Sequence, residues 1–236
     1  SASEVTGTQG LDLVYVACPP DHHANYVLAA RSADKAVLCE KPLGIEIVES
    51  EGLVSTMATG PGDAVNFLLA ASRPASTLYD LVANGELGRI HHVEVRMDLR
   101  TWSEHRYREA PWLANSRAGG FLREVGSHYV YFAMRLLGAL TLHSAYVGGR
   151  DDISAEHFAN ILLYAGGTPV TMTGSTSSGT PDVNECIVHG ERGTYRIRNF
   201  HWLDIAGASG WSPAYPAPEI PERETHLRQL DNVKRL

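Results

Sequence analysis

The chain of 236 residues is 44% apolar, 20% charged and 8% aromatic, a globular composition that excludes disordered, collagen-like and coiled-coil classes. Twenty Lys and Arg against 27 Asp and Glu leave a net charge of -7 with no basic run, so nucleic acid is not an expected partner. No apolar stretch approaches the ~20 residues of a membrane span and no signal-peptide pattern opens the chain, so no membrane partner is expected and the reading is cytoplasmic.

In chain order, Leu13 to Ala17 (LVYVA) is a continuous apolar, β-branched and aromatic run, as in a strand covered on both faces of a parallel sheet. Ala24, Val27 and Leu28 form an i, i+3, i+4 stripe on a short helix, and Val37 to Cys39 is a second strand of the same kind. A helix near Ile45 to Met57 and a third buried strand over Ala64 to Leu69 complete a strand, helix, strand series. Residues 1–70 therefore read as half of a doubly wound α/β domain. From Ser72 the pattern changes. A helix carrying Leu78, Leu81 and Val82 stops at Gly85. His92 to Leu99, Phe158 to Tyr164, Val170 to Thr176, Cys186 to Val188 and Thr194 to Ile197 then alternate or read as strands. Residues 71–236 are expected to form an α+β domain on a large, mainly antiparallel sheet, with Pro213 to Pro221 a proline-rich surface segment.

Cys18, Cys39 and Cys186 match neither a disulfide framework nor a CxxC site and are expected to be reduced. The histidine pairs His22-His23 and His91-His92 diverge in any regular element and no HExxH-like spacing occurs, so no metal is expected. Ser175, Ser177 and Ser178 have no nucleophile elbow around them, which removes a hydrolase.

A dinucleotide domain normally shows GxGxxG after its first strand. Here the nearest string, beginning Gly60-Pro61-Gly62, lies between a helix and a strand and reads as a turn. Glu40-Lys41-Pro42 instead follows the second strand, at the carboxyl end where α/β sheets place ligands. The string LVYVACPPDHHANYVLAARSADKAVLCEKPLG (13–44) resembles the Gfo/Idh/MocA family of NAD(P)-dependent oxidoreductases. The resemblance continues through Asn66-Phe67, through Gly85 to Val95 (GELGRIHHVEV), and into Gly119-Gly120 followed by Glu124, Gly126 and His128. It implies a partial Rossmann-like domain whose glycine-bearing first half lies outside the chain, and a final helix cut off midway. It also implies NAD or NADP as cofactor, contacted by Cys18, Pro19, His23, Glu40 and Lys41.

The helix expected over Leu122 to Leu137, ended by Gly138, places Glu124, His128, Tyr131 and Arg135 at i, i+4, i+7 and i+11. Val130, Ala133, Met134 and Leu137 are the expected buried side. By spacing alone the polar stripe is equally a solvated helix face; the resemblance makes Lys41, His128 and Glu124 the catalytic set. Glu124 stands where the family has Asp, Tyr131 where Asp is common, Leu68 where Arg is common and Cys18 where Thr is usual. Asn66, Trp102, Arg106 and Tyr107, with His105 and Trp112 beside them, are candidate substrate contacts.

The reading is an oxidoreductase moving a hydride between a nicotinamide cofactor and a carbinol or ketone carbon of a sugar, cyclitol or polyol. Either Lys41 or His128 takes the proton. The alternative is a non-catalytic dinucleotide- or sugar-sensing regulator. A homodimer or homotetramer is expected through the sheet face bearing Phe158, Asn160, Leu162 and Tyr164.

Overall fold

The computed structural model describes residues 6–60, 62–100, 102, 106–149, 151–176, 178–216 and 218–235. His105 and Ser177 lie outside the described residues. The chain divides into two compact units, one built on the chain up to Phe67 and again from Leu230, the other on Leu68–Gln229.

In the first unit β1 (Leu13–Val16), β2 (Ala36–Glu40) and β3 (Ala64–Asn66) form a parallel sheet in sequence order. Helices α1 (His23–Ser32) and α2 (Ile47–Met57) are the crossovers that parallel pairing requires. Val14, Val16, Val27, Ala30, Val37, Cys39, Leu53 and Met57 make the core. The expected α1 stripe is corrected: His23, Val27 and Ala30 face the core, while Leu28 is exposed. β3 ends earlier than its apolar run suggested, because Leu68–Ala71 turns helical. Asp63 ties the unit together, accepting from the Val37 amide at 2.8 Å and pairing with Arg31 at 3.3 Å.

The second unit is an eight-stranded sheet in the order β11-β10-β9-β8-β4-β7-β6-β5. Its strands are β4 (Ile90–Asp98), β5 (Thr141–Gly148), β6 (Phe158–Ala165), β7 (Thr168–Ser175), β8 (Val183–Gly190), β9 (Thr194–Arg198), β10 (Trp202–Gly207) and β11 (Gly210–Pro213). Only the β4–β7 pairing is parallel; the other pairings of this sheet are antiparallel. One face packs on α3 (Arg73–Ala83) and α4 (Ser127–Leu137) through Val93, Val95, Met97, Val170, Met172, Val188, Leu78, Phe121, Tyr129 and Phe132. Gly174 is required here, since a Cβ would stand 2.3 Å from the Phe121 ring. β5, β10 and β11 have no counterpart among the sequence expectations. β5 is exposed almost throughout, so its residues carry no buried alternation for a pattern to detect.

The end of the proline-rich segment belongs to helix α5 (Pro221–Val233) and its start to β11. Among the described residues no helix is long and apolar enough to cross a membrane.

Candidate active-site residues

In the first unit, one residue from each parallel strand meets its neighbour near the carboxyl ends. Glu40 of β2 accepts hydrogen bonds at Oε1 from the Tyr15 hydroxyl of β1 and from Asn66 Nδ2 of β3, the latter at 2.7 Å. Burial first, and the Glu40 carboxylate second, push the Tyr15 phenol up to about 12, so Tyr15 is a fixed donor at neutral pH. Glu40 thus anchors three strands. Asn66 is 7% exposed, and among the described residues its enclosed Oδ1 has no hydrogen-bond partner.

Lys41 follows Glu40 directly and is 8% exposed, before a cis bond to Pro42. The turn that carries it is held by His23, whose Nδ1 lies 2.8 Å from the Pro42 carbonyl oxygen and whose Nε2 lies 2.8 Å from that of Cys18. His23 is completely buried. Both ring nitrogens of this residue, an expected cofactor contact, face backbone carbonyl oxygens. Its place in the structure is a clamp between the β1 and β2 exits. Cys18 and Pro19 form the β1 exit and are half-buried, and burial raises the Cys18 thiol above its ordinary value. A cavity of about 320 Å³ opens beside them, lined by Thr6, Val14, Tyr15, Val16, Ala17, Cys18 and Tyr26.

In the second unit the expected single helix begins as a π-helical turn, Leu122–Gly126, before α4. Such wide turns recur at functional sites because they re-aim side chains within a helix. Its first amide is satisfied by Glu156, whose Oε1 accepts from Leu122 N at 2.7 Å. Burial raises the Glu156 carboxyl and that amide opposes the rise. Gly120, at φ 99°, leaves the room this carboxylate occupies, for a Cβ would come 2.2 Å from Glu156 Oε2. The glycine pair thus serves the chain's own packing. Glu156 gave no signal in the sequence, being 34 residues from the amide it caps.

His128 is 6% exposed and lies 5.0 Å, centroid to centroid, from Phe200. Phe200 also packs edge-on against the wholly buried Tyr129, whose hydroxyl donates to Asn184 Oδ1 at 2.7 Å. Phe200 reaches this position from a left-handed turn, with φ 47° at Asn199 and 68° at Phe200, a conformation that bulky residues adopt only under tertiary constraint. The expected buried side of α4 is corrected: Tyr129, Phe132, Ala133 and Leu136 fill the core, whereas Met134 is exposed. Glu124 sits on the π turn and is half-buried; Tyr131 is half-buried and Arg135 exposed. Trp102 packs its ring partly into the sheet core with Arg106 stacked over it at 5.9 Å, and Tyr107 opens a short helical turn, Tyr107–Glu109.

A family model described as the GFO/IDH/MocA C-terminal domain matches residues 75–196, more than half of the chain, and a second, described as an oxidoreductase family with an NAD-binding Rossmann fold, matches residues 1–61. The chain belongs to the Gfo/Idh/MocA family. Within this family, a trans-1,2-dihydrobenzene-1,2-diol dehydrogenase of Mus musculus is 27% identical over 93% of the chain and 65% of its own length. That of Homo sapiens is 24% identical over 94% of the chain and 66% of its own. The chain thus spans slightly less than two thirds of these curated relatives. A levoglucosan dehydrogenase in complex with NADH and levoglucosan superposes with a TM-score of 0.84 at 19% identity, covering 98% of this chain and 72% of that one. An inositol dehydrogenase homolog of Azotobacter vinelandii complexed with NAD+ gives 0.76 at 20% identity, covering 99% and 71%. At such identities these likenesses establish the Gfo/Idh/MocA fold.

Proposed function

We propose that this protein acts as an NAD(P)-dependent dehydrogenase on a CH–OH carbon of a sugar, cyclitol or related polyol. The observation that carries the reading is Lys41: a lysine 8% exposed at the carboxyl end of the middle strand of a parallel sheet, in a chain of an oxidoreductase family.

Oxidising a secondary alcohol requires the hydroxyl proton to leave as the carbon loses hydride. In this reading Lys41 donates a hydrogen bond to the substrate oxygen and stabilises its alkoxide character. His128, an imidazole with an ordinary value near 6.5, takes the proton or passes it on. Glu124 binds a substrate hydroxyl or orients His128. The strand-exit residues fit a dinucleotide's nicotinamide end, because the enclosed Oδ1 of Asn66 lacks a donor of the kind a carboxamide or a substrate hydroxyl supplies. When bound, the nicotinamide supplies the hydride acceptor. Cys18 and Pro19 would border it, with Glu40 holding Asn66 in place.

The dihydrodiol and levoglucosan enzymes named above make polyhydroxylated rings the first substrates to test. The protein, incubated with NAD+ or NADP+ and a panel of sugars, cyclitols and cyclic diols, should generate reduced nicotinamide with at least one member. Tight binding of the same compounds without turnover would instead support a sensor. We further propose a homo-oligomer joined through the outer face of the large sheet, where Phe158 and Tyr146 stand exposed against each other. Three unpaired cysteines are in keeping with a cytoplasmic protein.

A further inference from the structure

The face of the large sheet turned away from α4 carries a cluster that the proposed reaction does not use. Along β4, Val93 and Val95 point into the core, so His92 and Glu94, alternating with them, point to the other face. On the adjoining β8, Val188 and Cys186 point inward and His189 stands on the outer face, directly opposite His92 in the antiparallel register. The pairing shifts between Ile90 and His92, leaving His91 outside the register; that shift brings His92 rather than His91 opposite His189.

These three side chains are already grouped. The imidazoles of His92 and His189 stack with centroids 3.8 Å apart and planes 12° from parallel. Nε2 of His189 lies 3.8 Å from Glu94 Oε2, and one ligand atom from each residue falls within 4.8 Å of the others. His189 Nε2 is closed off from solvent and, among the described residues, has no partner at hydrogen-bond distance, so a ligand that satisfies it is favoured. Arg96, the next outward residue on β4, is engaged by Asp98 at 2.7 Å.

We propose that His92, Glu94 and His189 form a binding site for a divalent transition-metal ion of the zinc class. Two imidazole nitrogens and one carboxylate are the donor set such ions prefer, whereas magnesium and calcium take oxygen alone. Bonds of about 2.0–2.1 Å to nitrogen or oxygen place tetrahedral ligand atoms about 3.4 Å apart. Side-chain rotation alone closes the remaining gap, because both strands belong to a paired sheet and the backbone need not move. Opening the imidazole stack lets both rings turn a nitrogen toward the ion. Three protein ligands leave a fourth position for water or for a group from outside the chain.

The test is metal binding by the untagged, chelator-treated chain, read by equilibrium dialysis with Zn2+ and by the visible spectrum of added Co2+. The expected result is about one ion per chain with the intense absorption of four-coordinate Co2+. His92→Gln, Glu94→Gln and His189→Gln should each weaken binding at least about tenfold. His91→Gln, at the neighbouring position outside the register, should leave it unchanged. All four positions lie away from the core, so circular dichroism should confirm an intact fold for each variant. Failure of the wild type to retain a stoichiometric ion at micromolar free Zn2+, or equal affinity in His189→Gln and wild type, would overturn the site. Neither outcome bears on the dehydrogenase reading, which rests on other residues.

Discussion

His23 and Pro42 are joined by a 2.8 Å contact from the imidazole Nδ1 to the carbonyl oxygen of the residue after Lys41. The same ring reaches the Cys18 carbonyl with its other nitrogen. The turn that carries the proposed catalytic lysine is therefore held by the His23 side chain. His23→Ala removes a buried imidazole held between two carbonyl oxygens and opens a cavity, and should cost about 3 kcal/mol of stability. Urea unfolding of variant and wild type checks this; an unchanged midpoint would show the clamp to be dispensable.

Lys41→Ala and His128→Ala should each lower turnover about 100-fold or more with little effect on cofactor affinity, the usual contribution of acid-base groups. Steady-state rates and cofactor titrations of the two variants and their double mutant decide the matter. If the groups share one proton transfer, the double variant falls well short of the product of the single losses. Near-normal turnover in both single variants would remove these residues from the reaction.

Asp204 is 3% exposed and holds two guanidinium groups, Arg196 at 2.9 Å and Arg198 on the same carboxylate. Burial by itself would raise its carboxyl, but the hydrogen bonds from Arg198 and Arg196 outweigh burial and hold it below the ordinary carboxylate range. A depressed carboxylate contributes stability that is present above its unfolded value near 3.9 and lost as pH falls through the lower folded one. Asp204→Asn removes the carboxylate that both cations share, leaving Arg196 only Glu185 at 3.4 Å, and should cost about 3 kcal/mol at neutral pH. Thermal unfolding from pH 7 to pH 3 should show the difference between variant and wild type shrinking at the acid end.

His201 titrates in the opposite sense to a histidine that gains an acid partner. Burial lowers it below its ordinary value, and its Nδ1 stands 2.9 Å from the Thr225 hydroxyl of α5, which in turn donates to the Pro221 carbonyl. A folded value below the unfolded ~6.5 means that this stability is complete above pH 6.5 and is lost as pH falls through the folded value. Melting temperature should drop over that acidic window, and His201→Gln should reduce the drop. An identical pH profile in the variant would refute the assignment.

The oligomer proposal makes a simple demand on β6. Ala159, Ile161 and Leu163 pack inward, so Leu162 faces outward with Phe158 and Tyr164. Leu162→Lys should shift the light-scattering mass toward monomer at micromolar concentration. A monomeric wild type would end the proposal.

The parallel βαβ start was legible in the sequence because strands buried on both faces read as unbroken apolar runs, as Leu13–Val16 and Ala36–Glu40 do. Glu40-Lys41-Pro42 was legible as the polar step off such a strand, and the role expected of Lys41 came from the family resemblance. The edge strands β5 and β11 were not, since exposed strands bury no alternating face.

What the sequence by itself determined is local: the strands and helices that bury a face, where glycines end them, and which residue types carry chemistry. Contacts between distant segments belonged to the tertiary structure. Tyr15, Glu40 and Asn66 meet across three strands. Glu156 caps a turn 34 residues away, and Phe200 reaches His128 from a left-handed bend. His92 finds His189, rather than its neighbour His91, through the register of β4 on β8. The physical reason is common to all four. Spacing along a chain encodes only the periods of helix and strand, whereas the juxtaposition of side chains from separate elements is set by strand register and packing, which no local period carries.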